Sequence, residues 1–303
     1  MKRVVVRAAA KINLCLRVLG RRTDGFHEVE TILHTIGLWD RLYLEPIAGE
    51  SRIALEVNTA EVPADESNLC WQAADLLMTR AKDSGGVAIR LEKSIPAGAG
   101  LGGGSSDAAA TLAGLAHMWG LALTREELLE LASEIGADVP FFLLGGCCLA
   151  RGKGEKLQAL PAIAAWLVLV VPERRVSTSQ AYAALGRGTS RGRRKGLTRA
   201  AQRIVKAARE GDLPALADAL HNDFEAIEMA GIAEAGEAKA ALIEAGCSGA
   251  ALSGSGSAVF GIAPGEEAAN GIAAKLRDRW SRVEAVPTVP ALESLLIREA
   301  AEV

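Results

Sequence analysis

The segment Ile95-Pro96-Ala97-Gly98-Ala99-Gly100-Leu101-Gly102-Gly103-Gly104-Ser105-Ser106-Asp107 constrains this chain more than any other. Glycines this dense do not suit a strand or helix interior, because each loses more backbone freedom on folding than any other residue. Before the segment, Val87, Ile89 and Leu91 alternate as a half-buried strand does; after it, Ala108 to Trp119 reads as an Ala/Leu helix. A glycine turn between strand and helix leaves bare N–H groups beside the positive helix end, which makes a cradle for an anion. Ser105, Ser106 and Asp107 fall where N-cap residues belong, and a hydroxyl there can hold a phosphate oxygen or a metal. Phosphate is the inferred ligand. Gly98, Gly100 and Gly103 formally satisfy the dinucleotide fingerprint, but no acidic residue sits in a strand about 20 positions on. No Gly-Lys-Ser/Thr follows, so the Walker loop is excluded, and a plain glycine hinge would not need this density beside a helix start.

The rest of the chain suits a folded protein. Half of its 303 residues are apolar and 23% are charged, enough for a sizeable core and for about two domains. The 34 basic and 37 acidic residues nearly cancel, so no global field advertises nucleic acid or membrane. The opening residues imitate a signal peptide until Arg7 and Lys11 interrupt the apolar run. The apolar run from Ala159 to Val171 contains Pro161 and falls short of the ~20 residues that a membrane helix needs. Five cysteines, odd in number and without a CxxC pair, suggest neither a disulfide framework nor a zinc site, and a reducing cytoplasm is the expected home.

Residues 1–57 read as strands, with Val4 and Val6, then Ile12, Leu14, Leu16 and Val18, in period two. A helix is expected from Ser67, and another from Thr124, where Glu127 completes a capping box. In the second half a strand at Trp166–Val171 precedes a polar segment over 172–206. Helices near 213–229 and 234–245, a glycine turn feeding a strand over 246–262, a helix over 267–278 and a strand near 281–288 close the order. The domain boundary is expected in Arg151-Gly152-Lys153-Gly154, giving domains 1–155 and 156–303. Eight basic residues and no acidic one lie between Arg187 and Lys206. Their Gly, Ser and Thr neighbours and the lack of aromatics favour a solvated loop over a nucleic-acid surface, although a diphosphate-bearing substrate would also feel this field.

"IPAGAGLGGGSSDAAA" resembles the ATP-binding motif of the GHMP kinases, the superfamily of galactose, homoserine, mevalonate and phosphomevalonate kinases. "AAAKINLCLRVLGRRTDGFHEVETI" (8–32) is similar to the family's first motif and "GCSGAALSGSGSAVFGI" (246–262) to its third. The first motif, with "GADVPFFL" (136–143) and "VPERRVSTSQAY" (171–182), further resembles the branch that phosphorylates 4-diphosphocytidyl-2-C-methyl-D-erythritol on the non-mevalonate isoprenoid route. The resemblance implies an α+β, two-domain GHMP kinase fold, with a mixed-sheet N-terminal domain and a ferredoxin-like C-terminal domain. It also implies ATP and Mg2+ as cofactors and a partner no larger than a small molecule carrying cytidine diphosphate. A mevalonate or homoserine kinase would share the loop but lack a base pocket, and a silent nucleotide sensor would lack turnover.

Phosphoryl transfer needs positioning, charge stabilisation and an acceptor for the hydroxyl proton. Asp138, on a stiff Gly-Ala-Asp-Val-Pro segment, suits that acceptor, although a turn aspartate could equally be a cap. Lys11 interrupts an apolar strand, as a lysine snorkelling to water also would; the resemblance places it beside the catalytic Asp138, keeping that carboxylate ionised. The resemblance further assigns Pro96, Ala97, Gly98, Ala99, Gly100, Leu101, Gly102, Gly103, Gly104, Ser105 and Ser106 to ATP, with Asn68 and Lys93 bordering adenine. Ser106 is the candidate metal-facing hydroxyl. Asn13, Phe26, His27, Thr178 and Tyr182 are assigned to the substrate, with the aromatics on cytosine. Ser253, Gly254, Ser255 and Gly256 are assigned to a turn that closes over the phosphates. The family often has Tyr where this chain has Phe26, which keeps stacking and loses a hydroxyl.

Overall fold

The computed structural model of the chain describes residues 3–49, 52–81, 85–186 and 196–299. Two long strands open the fold, β1 (Val4–Arg21) and β2 (His27–Ile47), joined by a turn that the Arg22 N–H closes on the Phe26 carbonyl. β3 (Ile53–Val57), α1 (Leu69–Arg80) and β4 (Gly86–Glu92) lead to the glycine stretch and α2 (Gly103–Met118). α3 (Arg125–Ile135) and the short α4 (Val139–Leu144) precede β5 (Cys147–Gly152) and β6 (Lys156–Leu160). Then come β7 (Trp166–Val170), α5 (Thr178–Leu185), α6 (Arg199–Glu210), α7 (Leu213–Ala219) and the short β8 (His221–Asn222). α8 (Ala230–Glu244), β9 (Gly249–Leu252), β10 (Val259–Ala263) and α9 (Glu266–Leu276) lead to β11 (Val283–Pro287), α10 (Ala291–Ser294) and β12 (Leu295–Glu299).

The first sheet runs β12-β1-β2-β4-β3. It is mixed: β3 lies parallel to β4, while β1, β2, β4 and β12 pair antiparallel. β2 is long enough to serve twice, pairing β5 along 29–34 and β4 along 41–47. Register shifts in β1 at Ala9/Ala10, Asn13/Cys15 and Val18/Gly20 bend the ribbon, as an extra residue in one strand does. Val4, Val6, Leu42 and Leu44 point to the helical layer and pack with residues of α1, α2 and α4. The second sheet, β11-β7-β10-β9, is antiparallel throughout. Ile12, Leu14 and Ile36 of the first sheet share one core with Leu167, Leu169 and Phe260 of the second.

Three details depart from the sequence expectations. α2 starts at Gly103 rather than Ala108, because glycines at a helix start cost little once the helix is anchored by tertiary packing; Ser105, Ser106 and Asp107 therefore sit inside its first turn. The polar 172–206 segment holds α5 and the start of α6. In α6, Ala201, Ile204, Val205 and Ala208 form a buried stripe that the interleaved arginines disguise. Residues 187–195 of the basic run lie outside the described residues. Finally, β11 does not end the order, since β12 returns to flank β1 in the first sheet.

Candidate active site

Lys11 and Asn13 sit on β1 just past its first bulge and are almost wholly buried. The Lys11 ammonium donates to Asn13 Oδ1 at 2.5 Å and to the Gly100 carbonyl at 2.6 Å, and its backbone N–H donates to the Leu101 carbonyl at 3.0 Å. Burial lowers its pKa to about 8, with the charge of Asp138 opposing the shift. Asn13 Oδ1 also accepts the Gly254 N–H at 2.8 Å, and its amide donates to Thr31 Oγ1 at 2.8 Å. Asn13 thus ties the first motif to the third.

The glycine loop is held from the far side of the molecule. Ser253 Oγ donates to the Gly100 carbonyl at 2.9 Å, and the Ala258 N–H to the Ala99 carbonyl at 3.0 Å. Gly100 has a φ of +82°, and a Cβ there would lie 2.1 Å from the Ser253 carbonyl oxygen, so only glycine permits this approach. Gly102 caps α2 in the left-handed region without a side-chain bond. The first intrahelical bond runs from the Ser106 N–H to the Gly102 carbonyl at 2.9 Å, so the N–H groups of Gly103, Gly104 and Ser105 precede the ladder and remain free for an anion.

Residues 96–105 form one wall of a cavity of about 330 Å³, and Lys11, Asn13, Asp138, Thr178, Tyr182, Gly254 and Ser255 also line it. Asp138 occupies the N-cap position of α4, yet its side chain accepts no hydrogen bond there. Its charge raises the Tyr182 pKa, which burial chiefly drives to about 12. Thr178 begins α5 and shares a 2.9 Å hydroxyl contact with Ser255. The Tyr182 ring stacks on His27 at 4.6 Å and meets Phe224 edge-on at 4.9 Å. Burial, then Arg21, lowers the His27 pKa. Phe26 is 53% exposed, with the Lys153 ammonium 5.0 Å from its ring centre.

Seven expected residues do not line this cavity: Phe26, His27, Ser253 and Gly256, and also Ser106, Lys93 and Asn68. The Ser106 hydroxyl donates to the Ala9 carbonyl at 2.7 Å, so Ser105 is the serine of the pair that reaches the wall. The Lys93 ammonium bridges Asp40 and Asp107 behind the loop, a buried cluster in which desolvation pushes the Asp107 pKa up to about 8. Asn68 caps α1, accepting the Cys70 N–H at 2.9 Å, and brings its neighbour Leu69 to the wall instead. Sequence reading passed over Lys153, Gly154, Thr31 and Phe224, all of which line the cavity. Gly152-Lys153-Gly154 was legible as a loop but was read as a boundary, and Phe224 lies where the motif resemblance is loosest. Among the described residues no cluster of three His, Cys, Asp or Glu could hold a metal.

Comparison with known proteins meets this geometry. The model "GHMP kinases N terminal domain" matches residues 68–146, and "GHMP kinases C terminal" matches 204–282. A 4-diphosphocytidyl-2-C-methyl-D-erythritol kinase of Pelotomaculum thermopropionicum is 44% identical over 89% of this chain and 92% of its own. A crystal structure of 4-(cytidine 5'-diphospho)-2C-methyl-D-erythritol kinase superposes with a TM-score of 0.78 at 38% identity, over 94% of this chain and 98% of that one. A homoserine kinase from Cytophaga hutchinsonii, at 18% identity and a TM-score of 0.75 over 98% of both chains, shares the fold. The chain, with its glycine cradle pinned between Lys11 and Ser253, therefore belongs to the 4-diphosphocytidyl-2-C-methyl-D-erythritol kinase family of GHMP kinases.

Proposed function

We propose that the protein transfers the γ-phosphoryl group of ATP to the 2-hydroxyl of 4-diphosphocytidyl-2-C-methyl-D-erythritol, giving the 2-phosphate and ADP on the non-mevalonate isoprenoid route. The observation that carries the mechanism is a carboxylate that makes no cap bond, Asp138, lining the same cavity as the buried Lys11 cation and the uncapped start of α2. The free N–H groups of Gly103, Gly104 and Ser105 hold phosphate oxygens, aided by the helix end. Asp138 accepts the hydroxyl proton as the substrate oxygen bonds to the γ-phosphorus and the bond to the ADP oxygen breaks. Lys11 stabilises the negative charge developing on the attacking oxygen.

Ser253, Gly254, Ser255 and Gly256 close the phosphate end, with Asn13 fixing that turn through the Gly254 N–H. Phe26, His27, Thr178 and Tyr182 take the cytidine end. Because the His27 and Tyr182 rings already touch, cytosine stacks on an outer face of that pair rather than between them; such stacking contributes about 1–3 kcal/mol per base. The Ser105 hydroxyl on the cavity wall would be the protein group nearest to a magnesium ion, which, when bound, would neutralise charge on the triphosphate. Asn68 and Lys93 act on adenine only through the elements they brace. We divide the chain into domains 1–155 and 156–303, with β6 and β12 of the second pairing into the sheet of the first. The strand order β11-β7-β10-β9, with α8 and α9 in its crossovers, supports the ferredoxin-like reading of the second domain. A reducing, cytoplasmic setting suits the five free, buried cysteines.

Incubation with ATP, magnesium and the cytidyl erythritol, followed by phosphorus NMR, is expected to show a new monoester signal and ADP. ADP release with mevalonate or homoserine in its place, and none with the cytidyl substrate, would sink this reading.

A further inference from the structure

The helical layer covers one face of the first sheet; the other face carries a cluster that the kinase reaction does not use. Arg7 of β1, Arg41 of β2 and Arg298 of β12 line, with Val5, Tyr43 and Leu296, a cavity of about 290 Å³. The register explains the convergence. Arg7 lies directly opposite Arg41 on one side and Leu296 on the other, while Val5 lies between Tyr43 and Arg298. The strand alternation that sends Val4, Val6, Leu42 and Leu44 into the core sends all three arginines to the opposite face.

Like charges on neighbouring strands destabilise a sheet. Here no ion pair offsets them: among the described residues, none of the three guanidiniums has a carboxylate within 4.0 Å. Glu92 of β4, opposite Arg41, is engaged by Arg90 at 2.8 Å and by the Tyr43 hydroxyl at 3.2 Å. Glu45 pairs with Arg3. Arg7 is pre-positioned, its guanidinium 4.4 Å from the centre of the Trp39 ring, and its Nε is sealed from solvent without a hydrogen-bond partner. Its pKa is lowered first by burial and then by Arg41 and Arg298.

We propose that Arg7, Arg41 and Arg298 form a second binding site, separate from the catalytic cavity, for a small phosphorylated anion of diphosphate size. Planar guanidinium forks match phosphate oxygens two at a time, and three of them call for a ligand with more than one negative charge. Val5 and Leu296 give the cup an apolar floor, which strengthens each charge interaction above it. The cupped shape favours a compact ligand over an extended surface.

The test titrates inorganic diphosphate into the full-length protein by calorimetry, with the catalytic cavity saturated by CDP and a non-hydrolysable ATP analogue. The wild type is expected to bind one equivalent, more weakly as salt rises. R41S/R298S is expected to lose at least tenfold in affinity while kcat and KM without added diphosphate stay unchanged, which also reports an intact fold. R41K, keeping charge without the fork, is expected to fall between the two, and it carries the comparison if the double variant loses kinase activity. No binding by the wild type, or equal binding by wild type and variants, overturns the proposal. So does arginine-dependent sedimentation with phosphatidylglycerol vesicles in the absence of diphosphate binding, which would make the face a lipid contact.

Discussion

Asp138 stands at the start of a six-residue helix and caps nothing, because Pro140 and the Gly136-Ala137 turn fix its backbone while its side chain faces the cavity. Replacing it with Asn keeps the shape and removes the proposed proton acceptor. Asp138→Asn is expected to lower kcat by about 10²- to 10⁴-fold with ATP affinity nearly unchanged, read by ADP release and by calorimetric ATP binding. Unchanged turnover would remove Asp138 from the mechanism. Lys11 supplies a pH signature. With a folded pKa of about 8 against an ordinary 10.5, it is charged at pH 7 and loses its proton as pH rises through about 8. kcat/KM is therefore expected to fall above that pH, and a level profile to pH 9.5 would show the ammonium to be dispensable. Stability moves the other way. Across the window from about 8 to 10.5 the unfolded chain holds the extra proton, so the penalty of the buried charge fades as pH rises.

The glycine loop works as an element only because β9 and its following turn press against it. At Gly98 the φ is +68° and a Cβ would meet nothing within 4 Å; at Gly100 a Cβ would overlap the Ser253 carbonyl. Gly98→Ala is accordingly expected to cost about 1–2 kcal/mol, the strain of a left-handed backbone alone. Gly100→Ala is expected to cost about 3 kcal/mol or more and to raise the KM for ATP at least tenfold. Urea denaturation and steady-state kinetics on the pair check this, and equal effects would show that the contact with Ser253 does not matter. The capping box at Thr124 and Glu127, both of its bonds present, shows how local chemistry announces an element in full. α6 shows the opposite case, since its buried stripe is short, alanine-rich and spaced by arginines.

Across the whole molecule the two sheets meet where β2 runs beneath the connection from β6 to β7. His34 there is completely buried, its ring hydrogen-bonded through Nδ1 to the Thr35 carbonyl at 2.9 Å and accepting the Ile163 N–H through Nε2 at 3.0 Å. Burial lowers its pKa to about 4 from 6.5. The unfolded chain therefore binds more protons between those values, and stability is whole above about 6.5 and declines as pH falls toward 4. Urea midpoints at pH 7 and 4.5 are expected to differ by less in His34→Gln than in the wild type; an unaltered difference would clear His34 of that role. Motifs written in contiguous residues were legible without coordinates: the glycine turn from 98 to 105 ahead of a helix, Asp138 on its stiff turn, Lys11 in its apolar strand, and the kinase family that these resemble. Contacts between residues far apart in the chain were not. The turning of Ser106 and Lys93 away from the cavity, the arrival of Lys153 and Phe224, the arginine cup and the return of β12 to the first sheet all depend on register and packing. Local pattern fixes which backbone shape a segment prefers, but which side chain meets which across tens or hundreds of residues is decided only when the sheets close on a shared core.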